Sequence, residues 1–541
     1  MPVIETLVNH STPEFKANYQ QNEVLIAEFR AIENKIRQNS QKREAIFRQR
    51  NQLLPRERLN YLLDPASPFI ELSTLAGYQM HDDDGDESVA GGGVITGIGW
   101  VSGIRCVVFV HDSAIKGGAV APMGLRKNIR AQEIALLHRL PMVILAESAG
   151  ANLLYQAEIF VDGGRLFANM ARLSAAGIPQ ITVVHGSSTA GGAYLPGMSD
   201  YVVMVRDKSK VFLAGPPLVK AALGEESTDE ALGGALMHAT CAGTAEYLAE
   251  DDHHGIQVAR DLLAKLPWQP HDYYDYEQSN KIPASRYAID DLLGIVSPDY
   301  KTPYEVREVI ARLVDDSDFL DFKPLFGKEL VCGHGQINGF TCGIIGNNGP
   351  IFPEGSMKAA QFIQLCCQSA VPLVFLHNTT GYMVGKTAEE RGAIKHGSKM
   401  IQAVTNASVP KISLVIGGSF GAGNYGMCGR AFDPNFCFSW PNSQISVMGG
   451  AQAAKVMELV TIEKYKKQGK SVPAEILVAM EKKIKQQFKE ESTALYATAR
   501  LWDDGIIDPR DSRRVLAECL AICAEAEKRQ LKANSFGVAR M

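Results

Sequence analysis

Two glycine-rich turns hold the residues whose types and spacing could do chemistry. One reads "SSTAGGAY" (187–194), the other "GSFGAGNY" (418–425). Neither pairs a nucleophile with an adjacent base. Each offers backbone instead: Gly191 and Gly192 in the first turn, Ala422 and Gly423 in the second. Each turn follows an apolar run, "PQITVVHG" or "PKISLVIGG", that predicts a buried strand. A strand that ends in small residues and opens a helix presents two or three N–H groups and the positive end of a helix dipole to an anion. Small side chains let a substrate oxygen come within hydrogen-bonding range. Those are the requirements of an oxyanion hole.

Other chemistries fit less well. Gly421, Gly423 and Gly426 spell the G-x-G-x-x-G dinucleotide fingerprint. That site needs an acidic residue about 20 positions on for the ribose. Asp433 comes too soon and precedes Pro434, and the first turn lacks the pattern. Ser187, Ser188 and Thr189 invite a nucleophile reading, but the second turn has Gly418, Ser419 and Phe420 there. Only Ser188 and Ser419 repeat, and turn capping explains that hydroxyl as well as catalysis does. His185, the nearest histidine, reads as a structural strand-end residue. The ten cysteines include no C-x-x-C pair, which argues against a zinc ribbon or other metal site.

Composition narrows the classes further. Lys and Arg number 55 and Asp and Glu 60, for a net charge of −5, which gives no support to a nucleic-acid or anionic-membrane partner. No apolar run approaches the roughly 18 residues of a spanning helix. The N-terminal "MPVIETLVNHSTPEF" lacks a basic region followed by an apolar core, so the expected location is cytoplasmic.

The elements that position the turns occur twice. "LPMVILAESAG" (140–150) aligns with "VPLVFLHNTTG" (371–381), and "IPQITVVHGSSTAGGAY" (178–194) with "VPKISLVIGGSFGAGNY" (409–425); both pairs share an offset of 231 residues. Upstream, "GIGWVSGIRC" (97–106) matches "GHGQINGFTC" (333–342). The stretch around Gly97 and Gly103 reads as a hairpin-like pair of strands with turns at both glycines. The division expected is an N-terminal helical segment (1–63), broken near Pro55 and Pro65, a first half (64–270), a Pro- and Tyr-rich linker (271–304), and a second half (305–541) ending in charged helices. Two oxyanion holes in one chain suit a reaction in which negative charge develops on two carbonyl oxygens.

The motifs "SSTAGGAYLPGMSD", "VFLAGPPLVKAALGE", "DEALGGALMHA", "GFTCGIIGNNG" and "FPEGSMKAAQFI" closely resemble the carboxyltransferase (β) subunits of biotin-dependent acyl-CoA carboxylases, over nearly the whole chain. The resemblance implies an α/β fold of duplicated crotonase type, a superhelix with two homologous half-domains and flanking helices. It implies that Gly191 and Gly192 hold the enolate oxygen of an acyl-CoA thioester, with Glu147, Ser148, Ala149, Gly150, Gly163, Gly164, Ala190 and Tyr194 around the acyl group. It implies that Ala422 and Gly423 hold the ureido oxygen of biotin, with Thr380, Gly381, Phe420, Gly421 and Tyr425 beside it. The cofactor, as carboxybiotin, is carried by a partner biotin carboxylase/carrier α subunit, since "GSMKAA" lacks the second Met of an A-M-K-M attachment motif. A homo-hexameric core within an α6β6 complex is implied too, with each active site between the first half of one chain and the second half of another.

The segment "ESAGANLLYQAEIFVDGGRLFANMARLSAAGIPQ" looks most like the branched-enoyl group, the 3-methylcrotonyl- and geranyl-CoA carboxylases, and less like the propionyl/acetyl group. The methylcrotonyl type carries a Phe in the acyl pocket where this chain has Gly163 and Gly164, which suggests an enlarged pocket and a geranyl-length substrate. Competing readings are a crotonase-type hydratase or isomerase, the carboxyltransferase part of a sodium-pumping decarboxylase, and a non-catalytic scaffold. The hydratase needs a carboxylate pair near the enolate; Glu147 is the candidate, with His377 as its counterpart in the second half.

Overall fold

The computed structural model describes residues 3–81, 83, 88–268 and 283–539. The chain forms two compact α/β units. One comprises Ala31–Tyr273, Ala499–Leu501 and Ile522–Met541; the other comprises Met1–Arg30, Tyr274–Thr498 and Trp502–Ala521.

The first unit is built on β1 (Ile70–Leu72), β2 (Val94–Val101), β3 (Ile104–His111), β4 (Ala119–Val120), β5 (Met142–Ser148), β6 (Gly150–Ala151), β7 (Gln180–Thr189), β8 (Tyr201–Val205), β9 (Lys210–Phe212) and β10 (Tyr247–Ala249). The main sheet runs β1-β2-β3-β5-β7-β8-β10, with β9 paired to the far end of β7 and β4 paired separately with β6. β1, β2 and β3 are antiparallel and the rest of the main sheet is parallel. Every residue of β2, β3 and β5 is buried, as expected of strands covered on both faces.

The second unit repeats the plan. Its sheet runs β11 (Phe319–Asp321), β12 (Leu330–Ile337), β13 (Phe340–Asn347), β14 (Leu373–Thr379), β15 (Lys411–Phe420), β16 (Phe436–Ser439), with β17 (Gln444–Ser446) paired to the end of β15. The repeat extends to irregularities. In β5–β7, Ala146 faces Val184, but the next pairing is Ser148 with Ser188: two residues on one strand against four on the other. In β14–β15, His377 faces Val415 and Thr379 faces Ser419, the same slip at the same place.

The β2–β3 and β12–β13 hairpins close through two-residue turns whose central residues all have positive φ: Ser102 (51°) and Gly103 (75°), Asn338 (52°) and Gly339 (82°). That is the primed turn that matches strand twist. One carboxylate caps each turn. Asp64 accepts from the N–H of Ser102 (2.9 Å) and Gly103 (2.7 Å), and Asp315 from Asn338 (2.8 Å) and Gly339 (2.7 Å). An arginine holds each cap: Arg260 to Asp64 at 2.9 Å, Arg513 to Asp315 at 2.5 Å.

The expected turn at Gly97 is absent, because Gly97 lies within β2. It is glycine because a Cβ there would collide with the Phe69 ring; Gly333, its counterpart, makes the same room for Phe319. Pro55 does not break a helix. It is the first residue of the Pro55–Leu62 helix, where its missing N–H costs nothing. The expected N-terminal segment is divided, residues up to Arg30 grouping with the second sheet and those from Ala31 with the first. Much of the expected linker lies outside the described residues. Its remainder is packed: Leu292 and Leu293 are buried, and the Asn22 side chain donates to the carbonyls of Leu293 (2.8 Å) and Val296 (2.7 Å).

Removing a turn cap leaves two N–H groups and one guanidinium short of a charged partner. Asp315→Ala should cost about 2–4 kcal/mol, as hydrogen bonds to charged groups are worth about 1.5–3 kcal/mol each. Urea denaturation would show this as a lower midpoint with an unchanged slope.

Candidate functional site

At the first turn, β7 ends at Thr189 and Ala190 turns the chain with φ of 51°. Gly191 and Gly192 then lie in the first helical turn, Ala190–Ala193, and a helix start leaves N–H groups short of intrahelical partners. The turn is braced on both sides. Ser188 Oγ donates to the Gly192 carbonyl (2.9 Å). The Gly150 N–H donates to Ser148 Oγ (3.1 Å), which donates to the Gly118 carbonyl (3.3 Å). Gly191 is exposed, and a Cβ there would meet nothing within 4 Å; a Cβ on buried Gly192 would press on Ser148 at 3.0 Å.

A cavity of about 620 Å³ opens in front of these donors. Ser148, Gly150, Gly191 and Gly192 form one wall; Phe109, Leu125, Ile159 and Phe160 supply apolar lining. Gly163 and Gly164 face it from the middle of the Gln156–Ala176 helix. A mid-helix glycine costs roughly 0.5–1 kcal/mol relative to alanine. Here a Cβ on either would meet nothing within 4 Å, so backbone packing does not require the pair.

Four expected acyl-site residues are not among those lining the cavity: Glu147, Ala149, Ala190 and Tyr194. Tyr194 packs its ring on Phe167, with centroids 5.4 Å apart. Ala149 gives its N–H to the Gly118 carbonyl at 3.1 Å. The Glu147 carboxylate turns into the protein, 2.6 Å from the Arg58 guanidinium. Its counterpart is not His377. The strand register sets His377 where the first half has Ala146, and Asn378 where it has Glu147.

The second turn follows the same geometry. Phe420 ends β15, Gly421 turns the chain with φ of 52°, and Ala422 and Gly423 open the Gly421–Gly426 helix. Ala422 is exposed; a Cβ on Gly423 would lie 2.8 Å from Gly381 Cα. Gly381 has φ of 120° and Thr380 is exposed. Phe420 is buried against Tyr300 (4.7 Å between centroids), and half-exposed Tyr425 lies against Phe432 (5.4 Å). His377 Nδ1 and Asn424 Nδ2 both bond Ser419 Oγ, at 2.9 and 2.8 Å. The repeated hydroxyls, Ser188 and Ser419, therefore brace their turns.

Three features escaped the sequence reading. Gly118, φ 81°, hangs its loop on the end of β5, where a Cβ would lie 2.6 Å from the Glu147 carbonyl. Arg58 and Asp252 join Glu147 and His185 in a buried cluster. A second cavity, about 580 Å³, is lined by Lys42, Arg43, Arg50 and Lys116, with Asn39 and Ser113. Asn39 Oδ1 and Ser113 Oγ in it are buried without a partner among the described residues. The sequence signal that could have marked this region is the "KGG" run at 116–118.

No group of three or more His, Cys, Asp or Glu among the described residues could hold a metal ion. No helix among them is long and apolar enough to cross a membrane. Lys358, in the stretch nearest to an attachment motif, is wholly buried.

Residues 47–538 match the family model of the carboxyl transferase domain. The chain is 45% identical over 556 residues to a probable mitochondrial methylcrotonoyl-CoA carboxylase beta chain of Drosophila melanogaster, an alignment covering 100% of this chain and 95% of that one. It is 50% identical over 494 residues to a probable biotin-dependent acyl-coenzyme A carboxylase beta2 subunit of Mycobacterium tuberculosis, covering 91% of each. It superposes with a TM-score of 0.93, at 55% identity and 100% coverage of both chains, on the crystal structure of the beta subunit of P. aeruginosa geranyl-CoA carboxylase.

Two buried histidines set an acid limit on stability. Burial takes His111, on the wall of the first cavity, down to about 4, and His377, behind the second turn, down to about 3. Unfolded imidazoles take up protons near 6.5. Stability should therefore fall as pH drops from about 6.5 to about 4, because the unfolded state binds protons the folded state refuses. Thermal melts across that window should show a falling midpoint, and His377→Gln should flatten the profile.

Proposed function

The chain belongs to the carboxyltransferase β subunits of biotin-dependent acyl-CoA carboxylases, and from that premise we propose that its preferred substrate is a ten-carbon branched enoyl-CoA, geranyl-CoA or a chain of similar length. The open wall at Gly163–Gly164 carries this reading. The five additional carbons of a geranyl chain, at roughly 0.8 kcal/mol per CH₂, gain several kcal/mol when buried, part of it offset by ordering the chain. Names among the relatives support the runner-up, 3-methylcrotonyl-CoA.

In this reading the thioester oxygen sits on the N–H groups of Gly191 and Gly192, which grow stronger as partners when enolate charge develops. The acyl chain lies in the apolar cavity. The cationic cavity formed by Lys42, Arg43, Arg50 and Lys116 takes the phosphates of coenzyme A, and the Ser113–Gly118 loop links it to the thioester site. Glu147 serves neither as acid nor as base, since Arg58 holds its carboxylate.

The donor set at the second turn fits a urea carbonyl: two first-turn N–H groups, at Ala422 and Gly423, with Ala422 open to solvent. Biotin, carried on a partner biotin carboxylase/carrier subunit, supplies the carboxyl group when bound there. Ala422 and Gly423 hold its ureido oxygen, with Thr380, Gly381 and Phe420 shaping the approach. The β subunits assemble as a hexamer, and exposed apolar side chains such as Leu153, Phe160, Leu223, Val384 and Ile394 are available for burial between copies.

Two measurements check this. Light scattering should give about six times 58.9 kDa for the β subunit alone; a stable monomer at micromolar concentration removes the assembly. With the partner subunit present, kcat/KM should favour geranyl-CoA over 3-methylcrotonyl-CoA. Gly163→Phe or Gly164→Phe should depress the long substrate more than the short one, because only the long chain reaches the new ring. A wild type that favours the five-carbon thioester leaves the runner-up standing.

A further inference from the structure

The slip between β5 and β7 opens the two strands whose ends carry the first oxyanion hole. Between Ala146↔Val184 and Ser148↔Ser188, Glu147 stands on one strand opposite His185, Gly186 and Ser187 on the other. The Glu147 side chain fills that gap: a Cβ on Gly186 would lie 2.5 Å from Glu147 Oε1, so a larger residue there would displace the carboxylate.

Both strands are gripped by one cation. Arg58, fully buried in the Pro55–Leu62 helix, places Nη1 2.6 Å from Glu147 Oε2 on β5. Its Nε lies 3.2 Å from Asp252 Oδ2, and Asp252 Oδ1 bonds His185 Nδ1 on β7 at 2.8 Å. Asp252 is fixed in turn by the Leu53 N–H (2.8 Å), and the Gln52 side chain donates to the His185 carbonyl (2.7 Å). The segment 52–58 and Asp252 thus hold Glu147 and His185 at a set separation. The next residue after Glu147 is Ser148, which carries Gly118 and Gly150; seven residues after His185 is Gly192. A buried pair of this kind is weak evidence for stability, since its desolvation cost rivals its attraction. Its geometric effect is specific.

Resting on the carboxyltransferase reading of the first turn, we propose that Arg58 and Glu147 are positioning residues: the Arg58 clamp sets the splay of β5 and β7 and so aims the Gly191 and Gly192 N–H groups at the developing enolate oxygen. Neither residue lines the cavity in front of the turn. The second half achieves the same slip with neutral groups. Asn378 occupies the gap, where a Cβ on Gly417 would lie 2.5 Å from its Oδ1, and the Asn378 N–H donates to Asn347 Oδ1 at 3.3 Å. The clamp therefore acts on one hole only.

The test uses the complex with its partner subunit and whichever branched enoyl-CoA the wild type carboxylates best, so that an error about acyl chain length leaves it intact. Glu147→Gln keeps the shape and removes the charge that draws Arg58. Its kcat for carboxyl transfer to the thioester should fall about 10²-fold, the scale of one misplaced oxyanion donor. KM should stay within threefold, because the acyl and coenzyme contacts lie elsewhere. Decarboxylation of the carboxylated partner without acyl-CoA should be unchanged. Arg58→Lys, which puts one nitrogen in place of the two separated ones that reach Glu147 and Asp252, should show the same split more weakly. It also serves as the reading variant if Glu147→Gln melts more than a few degrees early. A folded variant with kcat within threefold of wild type overturns the proposal, and so does equal loss of both half reactions.

Discussion

The two-against-four slip between the central parallel strands is the constraint on which this molecule's chemistry rests. A regular parallel ladder would carry β5 and β7 to their ends in register, with their side chains interleaved and their backbones fully paired. The slip shifts β7 against β5, so that Ser188 meets Ser148 and Ser187–Thr189 pair on their other edge with β9; Ala190 then turns the chain into a helix, and Gly150 turns the neighbouring strand away. The strand ends where a helix starts, and a helix start leaves N–H groups without intrahelical partners. Positive φ at Ala190 and Gly421 and the small residues that follow are consequences of that geometry. So are Gly186 and Gly417, where the side chain that fills the slip from the neighbouring strand leaves no room for a Cβ without moving.

The two units meet the same requirement with different chemistry. In the first, a guanidinium, two carboxylates and an imidazole hold the strand ends, and burial with the nearby Arg58 keeps His185 below the ordinary imidazole range. In the second, amides, a serine hydroxyl and neutral His377 do so. Duplication has preserved the backbone irregularity while the side chains filling it diverged. This is the expected outcome where function lives in N–H groups: selection acts on where the backbone goes, and several side-chain sets can put it there.

Most of that backbone could be read from the sequence. Pro141 with Pro372, Gly150 with Gly381, and Gly192 with Gly423 mark equivalent turns because a tight turn or close approach admits few residue types. What could not be read depends on partners distant in sequence. Gly97 looked like a turn because nothing local shows that Phe69 needs its missing Cβ. Arg58 lies 89 residues from Glu147, and His185 lies 67 from Asp252, so no periodicity joins them. Glu147 itself was legible as a carboxylate at the right place, but its direction, into the protein and away from the cavity, is a property of the packed structure. One-residue slips in comparing the halves, such as matching Glu147 to His377, are resolved only by strand register.

The central claim is that each turn supplies N–H donors to a different oxyanion. Substitutions at Gly192 or Gly423 would disturb packing against Ser148 or Gly381. The residue before each is the better probe, since Gly191 and Ala422 are both exposed. The most direct measurement compares Gly191→Val with Ala422→Val in the complex with the partner subunit, following decarboxylation of the carboxylated partner without acyl-CoA. This account predicts near-normal decarboxylation for Gly191→Val and a loss of about 10²-fold or more for Ala422→Val, with carboxyl transfer to the thioester abolished in both. Normal decarboxylation in both folded variants, or loss in Gly191→Val alone, would contradict it.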